Sequence, residues 1–412
     1  MHTAAGPSLR HLRVFQMVAD LQSVRQAANA VHLSQPAVTQ AITKLESQIG
    51  ASLFDRRSSG TYLNPAGEIF AARTNMMFKQ IEDALAAFGV SPGKGRTLGS
   101  IIERITRPQI RSLTAVANGR SFADAARRIN ISQASFHRAA RELERNLGKP
   151  LFHNSVYGIV TTRGGTELAR RLALAVREIE WGMEEIEASS GRRGGQLRVG
   201  AMPLAGSFLL APAINELTVQ FPHAQVRVRT GDGQSLTKAL RFGEIDFVVG
   251  LTRPDADPAE IEQEPLAASP YVVVARRNHP LSRKAKITKA DLEACDWIVP
   301  MPEATRRVTF DNLFASMRKP PKANIETYAL STIRLLLCGS DRLTLLTRFE
   351  FESERATGAL TVLPFGPLEP AHFIGVTRRA RWSPTALHLK FLELMRAQAA
   401  ALVRGADLVR AA

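Results

Sequence analysis

The sequence predicts a chain of α plus α/β class, with two winged helix-turn-helix domains and their linker helices followed by a two-lobed α/β domain. Three observations predict it. A gapless internal repeat at a constant offset of 98 residues fills the first half. Cap and small-residue signals in each copy mark two helices that cross closely. Short apolar runs then alternate with helical patterns to the end of the chain. The expected boundaries are 1–64 and 106–163 for the winged domains, 65–105 for a first linker helix and breaker loop, 164–195 for a second linker helix and hinge, and 196–404 for the α/β part with two subdomains.

The repeat is read directly. Ala27-Ala28, Leu33-Ser34-Gln35, Leu45-Glu46, Gly50 and Leu53-Phe54 return as Ala125-Ala126, Ile131-Ser132-Gln133, Leu143-Glu144, Gly148 and Leu151-Phe152, in register from Leu12/Ile110 to Arg73/Arg171. In the first copy Leu9, Leu12, Phe15, Val18 and Ala19 keep helical spacing, and Ser23 stands as cap before Ala27 and Ala28. His32-Leu33 form a turn, and Ser34 is an N-cap with Pro36 in the tolerant first turn of the next helix. That helix turns Val38, Ala41, Ile42 and Leu45 inward and leaves Gln35, Thr39, Gln40, Thr43 and Lys44 outward. Such a face suits a major groove: Gln can pair with adenine edges, Thr with phosphate or a thymine methyl, Lys with phosphate or guanine. Leu53 to Leu63 reads as strand, basic loop and strand, a wing that lays Arg56 and Arg57 on the DNA backbone. The plainer alternative is an amphipathic bundle with a solvated polar face. Candidate DNA-binding residues in copy one are thus Ser34, Gln35, Pro36, Thr39, Gln40, Thr43, Lys44, Arg56 and Arg57. Copy two offers Gln133, His137, Arg138 and Arg141, but Pro36 becomes Ala134, Lys44 becomes Glu142 and the wing arginines become Asn154-Ser155. It is either a second DNA contact or a dimerising, degenerate unit.

Two long helices follow the wings. The first runs from Pro65 to Phe88 and ends in the breaker stretch Gly89 to Gly95. The second begins near Gly165 and places Leu168, Leu172, Val176, Ile179, Met183 and Ile186 as a coiled-coil seam, either pairing two subunits or packing on its own domain. A Gly-rich hinge, Ser189 to Gly195, separates it from the α/β part. There the expected strands are Leu197–Ala201, Val226–Thr230, Asp246–Gly250, Tyr271–Val274, Trp297–Val299, Ile325–Tyr328, Leu343–Leu346, Leu360–Leu363 and Phe373–Thr377, with helices over Leu209–Phe221, Ser235–Phe242 and Pro384–Val403. Their alternation argues for mostly parallel sheets, and the out-and-back path for two subdomains around a cleft.

The segment from Leu9 to Arg56, with Leu33-Ser34-Gln35-Pro36-Ala37-Val38 and Leu53-Phe54-Asp55-Arg56, resembles the N-terminal domain of LysR-type transcriptional regulators, and Leu63-Asn64-Pro65-Ala66-Gly67 resembles the entry into that family's linker helix. The α/β part resembles the family's effector domain through Gly243-Glu244-Ile245-Asp246, Asn278-His279-Pro280-Leu281 and Ser340-Asp341-Arg342-Leu343. The resemblance implies a two-lobed fold like type 2 periplasmic binding proteins, a linker helix that pairs subunits into a homodimer or homotetramer, and an effector such as a sugar or an aromatic acid catabolite. The second winged copy departs from the usual single-copy pattern. Ligands of open α/β sheets sit at strand carboxyl ends and helix N-termini, which nominates Met202, Pro203, Leu204, Ala205, Thr230, Gly231, Pro300, Ser331 and Thr332 as effector-binding. Ser331 and Thr332 read equally well as a plain cap, while Arg306, Arg307 and Arg334 either neutralise an acid or are solvated surface.

Composition narrows the function. There are 54 Lys+Arg against 38 Asp+Glu, a net charge of +16. Residues 1–194 hold 26 basic and 16 acidic residues, so the smaller part of the chain carries the larger surplus. A polyanionic partner, double-stranded DNA, is expected. Two cysteines exclude a disulfide framework and a Cys-based zinc site, and fit a reducing cytoplasm. Cys338, in an apolar helical run, is expected to be buried packing, with a redox switch as the alternative. Neither a signal-peptide pattern nor a long apolar run is present, so a cytoplasmic chain without membrane contact is expected. His-Glu-x-x-His, Gly-x-Ser-x-Gly and Gly-Lys-Ser/Thr motifs are missing, and the nine histidines are scattered. No catalytic residue, metal or cofactor is predicted. The reading is a ligand-responsive, sequence-specific transcriptional regulator. A cytoplasmic solute-binding sensor, or an enzyme regulated by a tandem helix-turn-helix, is the alternative.

Overall fold

Each helix of the first copy starts where a serine can hold its free amides. Ser8 accepts from His11 N–H ahead of α1 (Leu9–Leu21), Ser23 from Gln26 ahead of α2 (Val24–Ala30), and Ser34 from Ala37 ahead of α3 (Gln35–Ile49). Between α2 and α3, His32 takes φ 53°, the left-handed region that His tolerates better than most side chains. Ala27 and Ala28 are buried where α2 meets its neighbours. In this computed structural model the described residues are 6–90, 97–119, 122, 125–126, 132–156, 158–191, 194–202, 207–252, 257–302, 304–317, 320–355, 357–366, 368 and 372–411. They form two units, Met1–Gly195 and Gln196–Ala412.

In the first unit a hairpin of β1 (Phe54–Arg57) and β2 (Gly60–Leu63) leads into α4 (Pro65–Ala87). After α5 (Leu98–Glu103), the second copy supplies α6 (Arg107–Asn118), α7 (Gln133–Leu147), the hairpin β3 (Phe152–Ser155) and β4 (Gly158–Thr161), and α8 (Arg163–Ser189). Most of the segment between α6 and α7 lies outside the described residues. The repeat persists at the level of single bonds. Glu46 Oε1 accepts the Leu53 N–H at 2.8 Å, and Glu144 Oε1 accepts the Leu151 N–H at 2.8 Å, so one carboxylate anchors the base of each wing. Asn64 and Thr162 cap α4 and α8 through the amides of Gly67 and Gly165. A Cβ at these glycines would lie 2.0 Å from Leu53 O and 2.4 Å from Leu151 O. Each helix start approaches the backbone just before its hairpin too closely for any other residue.

The two linker helices meet each other within the chain. Phe70, near the start of α4, lies against Gly182 late in α8, and Phe88, just past α4, lies against Gly164 at the start of α8, so the helices run antiparallel. Between them Arg73, 5 % exposed, donates to Glu178 at 2.8 Å and to Glu185 through Nε at 2.9 Å, and Gln80 donates to Glu178 at 2.9 Å. The seam residues Leu168, Leu172, Ile179 and Ile186 are buried in the unit, while Val176 and Met183 are half-buried. The apolar spacing of α8 thus marks a buried stripe, and α4 of the same chain covers part of it.

The second unit has two five-stranded sheets. One is ordered β6-β5-β7-β14-β8, from β5 (Gly194–Ala201), β6 (His223–Thr230), β7 (Phe247–Leu251), β8 (Ile261–Ala268) and β14 (Phe373–Arg379). The other is ordered β11-β10-β12-β9-β13, from β9 (Tyr271–Arg276), β10 (Trp297–Val299), β11 (Ile325–Glu326), β12 (Leu343–Thr347) and β13 (Leu360–Val362). Both are mixed rather than mostly parallel: β14 runs antiparallel to β7 and β8 in the first, and β9 antiparallel to β12 and β13 in the second. Side chains alternate between cores: Tyr271 and Val273 pack with Trp297 and Phe310 on one face, Val272 and Val274 with Ile298 and Leu337 on the other, as the two-residue strand period demands. Around the sheets lie α9 (Ser207–Gln220), α10 (Gly233–Arg241), α11 (Lys289–Glu293), α12 (Thr305–Phe314), α13 (Leu330–Cys338), α14 (Arg348–Arg355) and α15 (Ala386–Ala411). Two expectations are corrected. Cys338 is exposed rather than buried, since it lies at the C-terminus of α13. Strand β8 has no counterpart among the expected strands; Pro265 and its glutamates are tolerated because it is an edge strand.

Buried charge ties this fold together. Asp246, fully buried, accepts the Arg198 N–H at 2.8 Å and faces His388 Nε2 at 3.4 Å and Arg379 at 4.0 Å, while Arg379 also donates to the carbonyls of Leu240 and Ile245. His279, 2 % exposed, accepts the Leu281 N–H and sits 3.1 Å from Asp341 O. Removing one member of such a cluster strands the others, a loss of about 3–5 kcal/mol. Asp246→Ala is therefore expected to destabilise this unit by that amount in denaturant unfolding; a loss below about 1 kcal/mol would contradict the assignment.

Candidate nucleic-acid interface and effector site

Along α3, the first turn and the three that follow carry one continuous open concavity lined by Gln35, Pro36, Thr39, Gln40, Thr43, Lys44 and Ser47. Val38, Ile42 and Leu45 on the opposite face are buried, so the polar residues are held outward by core packing rather than by one another. Ser47 was not among the expected residues; its place one turn beyond Thr43 is the signal that could have found it. Thr39 uses its hydroxyl proton on the Gln35 carbonyl at 3.1 Å, which leaves an acceptor and a methyl for a groove. Ser34 is exposed and serves as cap. On the neighbouring hairpin Arg56 and Arg57 are exposed. Arg57 lies 3.8 Å from Asp55 and 5.7 Å from the Tyr62 ring centroid, a loose, solvent-screened pairing.

The equivalent face of α7 is different. Gln133 and Arg138 are exposed. Arg141 is tied to Glu144 at 2.5 Å, the carboxylate that also anchors the second wing. His137 is half-buried, its ring 4.6 Å from that of Phe122. The structure therefore leaves Gln133 and Arg138 open and engages the other two within the protein.

In the α/β unit, Met202, Thr230 and Gly231 stand at the carboxyl ends of β5 and β6. Met202 donates its amide to Val249 O and lies over Gly250 and Gly233, where an added Cβ would come within 2.4 Å of its sulfur and 2.6 Å of its methyl. Thr230 is exposed, and Asp232 caps α10, its carboxyl held low by the Ser235 amide. Pro203, Leu204 and Ala205 lie outside the described residues. In the other lobe Pro300 is buried beyond β10. Ser331 and Thr332 are exposed within the first turn of α13; that helix begins earlier than expected, on Ala329, with no side-chain cap. Helix α12 likewise starts on Ala304 without a side-chain cap.

Arg306 is not solvated surface. It is buried in the first turn of α12, its Nη2 3.0 Å from Glu350, while Nε and Nη1 meet no acceptor at hydrogen-bonding geometry. Burial pushes the phenol of neighbouring Tyr271 well up, against the pull of the Arg306 charge, and pushes Glu350 up as well. Arg307 pairs with Asp311 and Glu326, and Arg334 with Glu354. Cys295, half-buried, has its thiol raised first by burial and then by nearby aspartates, the reverse of an activated thiolate. Among the described residues no cluster of His, Cys, Asp or Glu could hold a metal, and no helix is long and apolar enough to cross a membrane.

Residues 9–68 and 108–166 each match the bacterial regulatory helix-turn-helix protein model of the lysR family, and residues 190–400 match the LysR substrate binding domain. The chain belongs to the LysR family. The HTH-type transcriptional regulator GalR of Pseudomonas putida is 30 % identical over 388 residues, covering 93 % of this chain and 96 % of GalR, so that likeness runs through both copies. PcaQ of Agrobacterium fabrum, another HTH-type transcriptional regulator, is 24 % identical over 74 % of this chain and 98 % of its own. A full-length OxyR variant from Pseudomonas aeruginosa shares the fold, with a TM-score of 0.53 at 21 % identity over 71 % of this chain and 98 % of that one. The protein is a LysR-type transcriptional regulator with an effector-binding domain.

The cap and groove roles of neighbouring residues separate in DNA-free protein. Ser34→Ala is expected to cost about 0.5–2 kcal/mol in thermal unfolding, and Gln35→Ala less than about 0.5 kcal/mol. Equal losses would place Gln35 in the fold rather than on an interface.

Proposed function

We propose that α3 enters the major groove of an operator with the β1–β2 wing on the adjacent backbone, and that the α/β domain responds to a small organic acid. The exposed polar face of α3 beside Arg56 and Arg57 carries the DNA reading. Gln35, Gln40, Thr39, Thr43 and Lys44 supply base-edge and phosphate contacts, Ser34 fixes the exposed helix start, Pro36, which has no N–H, offers an apolar contact, and the two arginines neutralise phosphates. Gln133 and Arg138 of α7 are the corresponding groups of the second copy. The cytoplasm is where such a regulator meets its DNA.

For the effector, Arg306 favours a carboxylate over a neutral sugar. A buried guanidinium whose Nε and Nη1 meet no acceptor at hydrogen-bonding geometry, beside a helix start that no side chain caps, is a donor set suited to an anion. Met202, Thr230, Gly231, Pro300, Ser331 and Thr332 lie on the carboxyl edges of the two sheets, the expected rim of the same site.

Gln35→Ala and Thr39→Ala are expected to lose about 1–3 kcal/mol of sequence discrimination per base contact in competition binding. Arg56→Ala should instead weaken all sequences alike and reduce the salt slope by about one. Unchanged binding in all three would refute the DNA assignment. In a thermal-shift panel of matched aromatic carboxylates and neutral sugars, carboxylates are expected to stabilise the wild type. Arg306→Lys, which keeps a cation for Glu350 but loses the planar fork, should abolish that shift; a shift that persists unchanged would exclude Arg306 from the site.

A further inference from the structure

The contacts between α4 and α8 follow a two-fold rule. In an isologous interface, position i of one unit meets j of the other while j meets i, and a position on the axis meets its own equivalent. Glu178 is the repeat equivalent of Gln80, and these two side chains bond each other at 2.9 Å. Phe70, ahead of Gln80, lies against Gly182, beyond Glu178, and Phe88, beyond Gln80, lies against Gly164, ahead of Glu178, so the two helices run in opposite directions past the shared position. The two winged copies are therefore related as the halves of a symmetric dimer, but within one chain.

The side chains that break this symmetry select the pairing. Arg73 receives Glu178 and Glu185, whereas its equivalent, Arg171, would face Gln80 and Ala87 and instead bonds Glu167 at 2.7 Å. Two first copies brought together would bury two Arg73 side chains opposite Gln80 and Ala87, with no acid. Two second copies would set Glu178 against Glu178 on the axis. Only the mixed pair gives the buried cation its carboxylates without opposing like charges, so specificity comes from the disfavoured alternatives as much as from the favoured bond.

We propose that a single chain is a complete two-site DNA reader, pairing its own two winged copies on one duplex with two unlike half-sites. This rests on the reading of α3 and α7 as groove-facing helices. The halves differ in chemistry. Gln40 of α3, suited to adenine, is replaced at the same position of α7 by Arg138, suited to guanine. The backbone-gripping Arg56-Arg57 is replaced by Asn154-Ser155, and Lys44 by Glu142. The partner is thus an asymmetric operator, held more tightly to the backbone over the half under α3.

The test uses the full-length chain and a duplex that the wild type selects from a randomised library. One variant carries Gln35→Ala with Thr39→Ala, the other Gln133→Ala with Arg138→Ala; apart from the half-buried Thr39 these positions are exposed, and matching melting temperatures check the fold. Footprints are expected to lose opposite halves, at least tenfold in protection affinity each. The two variants co-expressed in one cell and purified together should still lack a complete footprint, because every chain holds one impaired copy. A complete footprint from the mixture would mean that copies pair between chains, overturning the proposal, as would an intact footprint for the second variant. If the wild type selects no sequence and neither variant alters binding, the DNA reading itself fails, a result distinct from the other two.

Discussion

A buried arginine organises the DNA-facing half of this protein. Arg73 sits between two helices where water cannot reach it, and burial alone would depress its pKa; the bonds to Glu185 and Glu178 raise it instead. A buried ion pair of this kind adds little net stability compared with apolar residues of the same shape, yet stranding one partner is severe. Its effect is on which surfaces meet and in what register. Because Arg73 belongs to the first copy and both carboxylates to the second, the same desolvation penalty that threatens the fold also dictates how α3 and α7 are placed.

The α/β half uses buried charge in a similar way. Asp246 collects a backbone amide, His388 and Arg379 at the junction of β5, β7, β14 and α15. Within the segments that carried the family likeness in this half, Asp246, His279 and the Asp341 carbonyl hold the scaffold together. At the start of α12, Arg306 keeps donors that meet no acceptor at hydrogen-bonding geometry.

Much of the first copy was legible because local rules decide it. The serine caps at 23 and 34, the alanine pair and the outward polar face of α3 all follow from hydrogen-bond and burial requirements within a few residues. The candidate effector residues were less legible. Arg306 read as solvated because an isolated arginine usually is, and only its tertiary partner Glu350 reveals burial. Ser331 and Thr332 read equally as ligand donors or as a cap because hydroxyls prefer that position, and the helix is capped at Ala329 instead. For α8 the apolar spacing disclosed a buried stripe without naming what covers it: periodicity reports a face, and the partner is set by distant charges such as Arg73. Strand β8 escaped for the opposite reason, since an edge position relaxes the rules that sequence patterns encode.

At the centre of these findings is one claim, that the basic first unit reads sequence rather than merely attracting polyanions. Equilibrium binding of the full-length chain to its selected duplex and to a scrambled duplex of equal length and composition, across a salt series, tests it most directly. An advantage of about 10³-fold or more is expected for the selected duplex near physiological salt, with both affinities falling as salt rises. Equal affinities at every salt concentration would contradict it, leaving a basic protein that binds DNA by charge alone.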